Sequence, residues 1–273
     1  MSDNRYTRNE GLFGKDGQRL IGDTIVAIIG YGGLGSVVGL LLAYLGVTRF
    51  RIVEFDPVEQ SNLNRLVGAT PSDVGEAKAF IAERTLRAIQ PDGDIRVAGV
   101  PFSDDKAKAL IDDAHVVFGC VDREPARVEI LDWAAQHRAP YIDAATDVVP
   151  QEDGTMIYGG RVVVTTGKGC PVCLDVLDQQ ELAVANMTPD QRAAHAQIYG
   201  IDVDALDESG PSVVSINAVV ASLAVTEFMA LVTGLRPPNQ ALTYRADRGG
   251  VVVDRTEPKP GCFYCSQYHT ATS

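Results

Sequence analysis

An α/β fold with a doubly wound, mostly parallel sheet that turns mixed or antiparallel in its C-terminal half is what this sequence predicts. Three observations carry the prediction. Residues 24–55 read as strand, glycine turn, helix and strand in immediate succession. Strand-length apolar runs and helix-length segments then alternate to residue 145, the pattern of a parallel sheet joined by crossovers. Beyond that point glycines, a hairpin-like pair around Arg248-Gly249-Gly250 and two Cys-x-x-Cys pairs take over.

Residues 1–22 form a polar arm with a helix expected around 17–21. The apolar run 25–29 is too short for a helix and is closed by glycine, which reads as a buried strand. Residues 36–45 give an apolar helix, and 50–55 a β-branched and aromatic strand carrying Glu54 near its end. Gly30, Gly32 and Gly35 hold the G-x-G-x-x-G spacing of a Rossmann-like βαβ unit, with Gly33 among them. Gly30 permits the sharp exit from the strand, Gly32 the close approach of backbone to a phosphate, and Gly35 tight helix–strand packing. The following helix points free N–H groups at that phosphate, and Glu54 falls where a ribose hydroxyl is accepted.

An amphipathic helix within 71–90 places Lys78 in its early turns, and Val74, Ala77, Ile81 and Leu86 mark its apolar side. A strand at 95–100, a helix at 104–113, a strand at 115–118, a helix from 125 to 137 and a strand at 141–144 continue the alternation. The second half is expected to hold a strand at 156–165, a helix at 188–199 and an apolar helix from Ser212. At 273 residues the chain is long for one α/β domain and short for two. We therefore expect one domain over 1–273, divided into the arm 1–22, a nucleotide-binding half 23–145 and a continuation 146–273.

The formal net charge of −12 argues against a nucleic-acid partner, which needs a basic footprint. The polar start MSDNRYTRNEGLF lacks the apolar core of a secretory signal. The longest apolar stretch, 213–232, contains Asn217, Ser222 and Glu227. A bilayer span does not bury such a carboxylate unpaired, so a core helix and no membrane partner are expected. These features predict a cytoplasmic protein, in which thiols stay reduced and paired cysteines mean metal.

Polar and cationic groups cluster just past the second strand: Asp56, Ser61-Asn62-Leu63-Asn64-Arg65 and Gly75-Glu76-Ala77-Lys78. Ligands of open α/β sheets bind at this edge. A dinucleotide's pyrophosphate needs only helix N–H groups, whereas Arg65 and Lys78 together suit a triphosphate attacked at its α-phosphorus, where charge accumulates. Taken singly, each cation reads better as a solvated surface side chain; taken with the glycine turn, it does not. Asp122, after the strand at 115–118, is a carboxylate of the kind Mg²⁺ takes, and also a natural N-cap for the helix that follows. Cys120 reads as a small buried residue rather than a nucleophile.

Cys170-Pro171-Val172-Cys173 and Cys262-Phe263-Tyr264-Cys265 supply four thiolates, enough for a closed tetrahedral Zn²⁺ shell. With every position filled by protein the site is structural, and it ties the C-terminal tail to the middle of the fold. A redox role suits either pair alone better than both together. His269 is a possible substitute ligand, although a single tail histidine is usually solvated.

Gly30-Tyr31-Gly32-Gly33-Leu34-Gly35-Ser36, Glu54-Phe55-Asp56-Pro57-Val58, Ser61-Asn62-Leu63-Asn64-Arg65, Lys78, Cys120-Val121-Asp122 and the two cysteine pairs stand in one order over nearly the whole chain. In this the sequence resembles the E1-like ThiF/MoeB/HesA superfamily of adenylating enzymes. The resemblance implies ATP-dependent adenylation of a carboxylate, with Glu54 on the ribose, Asp56 and Asp122 near Mg²⁺, and Arg65 and Lys78 on the phosphates with Asn62 orienting them. It implies a homodimer in which Arg8, of the motif Arg5-Tyr6-Thr7-Arg8, reaches the partner's ATP. The implied substrate is the Gly-Gly end of a ubiquitin-like or sulfur-carrier protein, held by the half 146–273, or alternatively a short peptide. Some members pass the acyl group to a cysteine before the last long helix. Here Asp207 occupies that region, so no thioester is expected on this chain. Glu54 for Asp and Leu66 for Gln depart from the family pattern, which keeps a non-catalytic scaffold as an alternative; Arg123 for Asn departs from it too, at a position that suits a phosphate contact. An NAD-dependent oxidoreductase explains the glycines but gives Arg65, Lys78 and the cysteines no task.

Overall fold

The computed structural model describes residues 4–151, 153–185, 187, 188, 191 and 211–269. Apart from Thr188 and Gln191, the helix expected at 188–199 lies outside the described residues, as does Asp207. The strands are β1 (Ile25–Ile29), β2 (Arg49–Val53), β3 (Asp94–Ala98), β4 (Val116–Gly119), β5 (Tyr141–Pro150), β6 (Met156–Thr165), β7 (Ala241–Arg245) and β8 (Gly250–Asp254). The described helices are α1 (Thr7–Asp23), α2 (Gly33–Leu45), α3 (Lys78–Ile89), α4 (Asp105–Ile111), α5 (Glu124–His137), α6 (Gln179–Ala185), α7 (Val214–Thr233) and α8 (Phe263–Gln267).

Among the described residues, eight strands form one sheet in the order β3-β2-β1-β4-β5-β6-β7-β8. The pairs from β3 through β5 are parallel, and those from β5 through β8 are antiparallel. The expected Rossmann-like architecture with an antiparallel C-terminal extension is therefore what the chain adopts. Strand β1 is buried along its whole length because helices cover both faces. Val26 and Ile28 pack with residues of α2, α3 and α7, while Ala27 and Ile29 pack with α4 and α5. The chain leaves β1 toward β2 and β3 and later returns to place β4 on the other side of β1. That reversal opens a crevice at the strands' C-terminal ends.

Several boundaries differ from the sequence reading. Helix α1 runs over 17 residues, broken at Gly14, whose φ of 72° lies in the left-handed region. Strand β2 stops at Val53, so Glu54 stands just past it. Helix α3 begins at Lys78, since Pro71–Asp73 forms a separate 3₁₀ turn. Strand β5 extends to Pro150 rather than residue 144, because its outer half pairs with β6 alone.

By length and composition α7 would reach across a bilayer, yet it packs on α1, α2, β5 and β6. Its buried Glu227 accepts hydrogen bonds from Arg236 at 2.7 and 2.8 Å and from the backbone and side-chain nitrogens of Asn239. The core-helix reading of this stretch thus holds, with a partner for the carboxylate.

Candidate active site and cysteine cluster

A cleft of about 660 Å³ opens at the C-terminal ends of β1, β2, β4 and β5. Gly30, Gly32, Gly33, Glu54, Asp56, Asn62, Arg65, Lys78 and Asp122 all line it. Gly35 lies beneath the turn, where a Cβ would collide with the carbonyl oxygen of Gly30. Gly30 itself has φ 87°, and a Cβ there would sit 2.7 Å from the Cys120 carbonyl oxygen. Around Gly32, by contrast, a Cβ would meet open space, which is the room a phosphate needs. The N-terminus of α2 begins at Gly33 beside it, so orphan N–H groups and the positive dipole end face the same space.

Glu54 is buried, and both its oxygens accept backbone N–H bonds, from Tyr31 at 2.7 Å and Asp56 at 2.8 Å. Burial raises its pKa against those bonds and the nearby Lys78 charge. The carboxylate thus fastens the glycine turn to the loop after β2, with its remaining lone pairs on the cleft. Lys78 is the first residue of α3 and its Nζ lies 3.0 Å from Asp56 Oδ2. Asn62 is buried, with Oδ1 accepting from the Glu59 N–H at 3.0 Å. Arg65 donates to the Ser61 carbonyl at 2.6 Å, and its stem crosses Gly33 so closely that a Cβ there would lie 2.9 Å from Arg65 Cγ. The side chain therefore borders the cleft rather than pointing away from it. Asp122 is exposed on the opposite wall. It does not cap α5: the N-cap is Arg123, and no side-chain cap bond is made there. Arg8 is exposed on α1 and outside the cleft of its own chain.

Five residues at the cleft were not singled out as site residues in the sequence. Arg127 and Glu124 of α5, and Asp143 and Arg161 of β5 and β6, form a buried ion cluster under its floor. Asn217, in the first turn of α7, also lines the cleft and accepts from Thr146 Oγ1 at 3.0 Å. Their one available signal was a charged residue inside an apolar strand, as in Tyr141-Ile142-Asp143-Ala144. Cys120 is on the cleft floor but nearly sealed, and burial pushes its thiol up to about 12. A thiol so weakly acidic is no nucleophile at neutral pH.

On the side of the sheet covered by α4 and α5 the four paired cysteines converge, with all sulfurs within 4.8 Å of one another. Sulfur separations are 3.6 Å for Cys170–Cys173, 3.6 Å for Cys170–Cys262 and 3.8 Å for Cys173–Cys265. Sulfurs at about 2.3 Å from a tetrahedral zinc stand about 3.8 Å apart, whereas a disulfide needs about 2.05 Å. The donor set fits a closed metal shell. Burial pushes the Cys173 thiol up to about 11, a cost that a divalent cation reverses by holding thiolates. His269 instead bonds the Gly167 carbonyl at 2.8 Å and is no ligand of this shell.

A dinucleotide oxidoreductase has no use for two cations in the cleft of its glycine turn or for a four-cysteine cluster that joins the tail to the middle of the chain. The class that combines them is the E1-like adenylyltransferases. The chain belongs to the ThiF family of that class, whose match covers residues 6–262. It is 29% identical over 271 residues to the sulfur carrier protein adenylyltransferase of Thermus thermophilus, covering 97% of this chain and 92% of that one. It is 30% identical over 178 residues to the molybdopterin-synthase adenylyltransferase of Escherichia coli, covering 63% of this chain and 68% of that one. Among solved structures it resembles E. coli MccB with AMPCPP and MccA, with a TM-score of 0.74 and 20% identity, over 97% of this chain and 74% of that chain.

Proposed function

We propose that the chain adenylates the C-terminal carboxylate of a Gly-Gly-ending sulfur-carrier or ubiquitin-like protein, using Mg-ATP and releasing pyrophosphate. The observation that carries this reading is that Arg65 and Lys78 line the same cleft as the glycine turn, where Gly32 leaves open space. ATP lies over the glycine turn, with its phosphates at the α2 N-terminus and Glu54 toward the ribose. The incoming carboxylate is already ionised at neutral pH and needs no base. It attacks the α-phosphorus in line, and pyrophosphate departs. The protein's contribution is positioning and charge neutralisation: Arg65 and Lys78 meet the phosphate oxygens, and Asn62 braces the turn that carries Arg65. Asp122 and Asp56 are the hard oxygen donors that would hold Mg²⁺, and the ion would supply positive charge to offset that of the phosphates.

The acyl chain enters along the outer part of β5, where Ala145 to Val149 line the cleft. The acyl-adenylate is the product, since Cys120 is sealed and the remaining cysteines form the cluster. The cluster holds one structural zinc. The chain works in the cytoplasm as a homodimer in which Arg8 adds positive charge to the partner's phosphates. Carboxylate-dependent ATP–pyrophosphate exchange tests the reading, run with Gly-Gly-ending carriers and with short peptides. Exchange with a carrier alone supports it, exchange with peptides alone moves the substrate to that class, and exchange with neither refutes it.

A further inference from the structure

We propose that Arg127 is a positioning residue for Asp122, the carboxylate through which the cleft would hold the nucleotide's divalent cation; this rests on the Mg-ATP reading above. Arg127 stands in the first turns of α5 and is 4% exposed. Its Nη1 donates to Asp143 Oδ1 at 2.7 Å and to the Ala144 carbonyl at 3.0 Å. Its Nη2 donates to the Val121 carbonyl. That oxygen belongs to the peptide group joining Val121 to Asp122, so the guanidinium fixes the plane from which Asp122 departs.

The same turn is pressed from the other side by the glycine loop. A Cβ on Gly30 would lie 2.7 Å from the Cys120 carbonyl oxygen and 3.2 Å from Val121 Cγ1. The Asp122 side chain is exposed to the cleft, so the backbone that carries it sets its direction. Stability alone gives little reason for the arrangement. A deep ion pair adds little over apolar packing, and Arg127 Nε and Asp143 Oδ2 are left without hydrogen bonds. What the buried guanidinium does secure is one peptide plane at the junction of β4, β5 and the cleft.

The test is calorimetric titration of the zinc-loaded protein with ATP, with and without added MgCl₂. Arg127→Lys keeps the charge but loses the fork that reaches Val121, Asp143 and Ala144 together. It should weaken Mg-ATP binding by about tenfold, the usual effect of removing a residue that orients a metal ligand. ATP binding without magnesium should be unchanged. In an Asp122→Asn background, Arg127→Lys should produce no further loss. Equal weakening with and without magnesium, wild-type Mg-ATP affinity, or losses that multiply with Asp122→Asn would each overturn the proposal.

Asp143→Asn, which leaves the guanidinium in place without its nearest counter-charge, should give a smaller loss of the same magnesium-specific kind. Should Arg127→Lys fail to fold, this variant decides, and binding like wild type would then refute the idea. A wild-type protein that binds no ATP under either condition overturns the nucleotide reading itself, a result distinct from all of these.

Discussion

Arg65 lies across Gly33, with its Cγ 2.9 Å from the position a Cβ on that glycine would take, and Asn217 Nδ2 lies 2.5 Å from the same point on the other side. The glycine is thus a gap between two side chains of the cleft, one cationic and one amide. Gly33 is helical, so the restriction is steric. Asn217 is held by Ser212 and Thr146 and cannot retreat. Gly33→Ala should displace Arg65 and reduce exchange at least tenfold, while Ala favours the helix by about 1 kcal/mol. Kinetics and thermal melts on one preparation check this, and an active Gly33→Ala enzyme would show that Arg65 tolerates displacement.

Removing the guanidinium tests its charge directly. Arg65→Ala leaves the Ser61 carbonyl and Asn64 side chain exposed to water, so little stability should be lost. Exchange should fall on the order of 10²–10³-fold, as for loss of one group that stabilises developing charge. Zinc content should stay at the wild-type value, because the cysteine cluster is built from other elements.

The glycine turn, the parallel half of the sheet and the cysteine pairs were legible because each depends on local pattern. The residues 25–29 can be little other than a buried strand, and two Cys-x-x-Cys pairs declare themselves at any separation. The ion cluster was not legible. Arg127 and Asp143 are separated by a helix and a strand start, and only the parallel pairing of β4 with β5 brings them together. Strand β5 was read too short for a related reason: its outer residues, Asp147 to Pro150, lose their second neighbour and pair only with β6. Glu54 was read as a ribose ligand, while its two backbone bonds required the turn to fold back over β2.

The cysteine cluster makes a measurable claim. Elemental analysis should find about one zinc per chain, and Cys265→Ser should lose it. Closing the shell fastens α8 against α5 and the segment after β6. Metal loss should therefore lower the melting temperature by about 10 °C. Thiol titration of the native protein should be slow, and zinc removal should release four reactive sulfurs while Cys120 stays silent. Four fast thiols in the native protein, or two disulfides, would contradict the metal assignment.

Glu227 supplies a prediction about pH. Burial acts to raise its pKa, but hydrogen bonds from Arg236 and Asn239 outweigh it and hold the carboxyl below its ordinary value. The fold therefore favours the ionised form. Its contribution is full above the unfolded carboxyl pKa of about 4.3 and is lost as pH falls through the lower folded value. Glu227→Gln removes the charge while keeping the shape, and leaves Arg236 partly in water. At pH 7 it should destabilise by about 1–2 kcal/mol. In denaturant titrations the gap between wild type and Glu227→Gln should hold from pH 7 to about pH 5 and then close toward pH 3. A gap that widened on acidification would mean that the carboxyl is protonated in the native protein and that Arg236 is not its counter-ion.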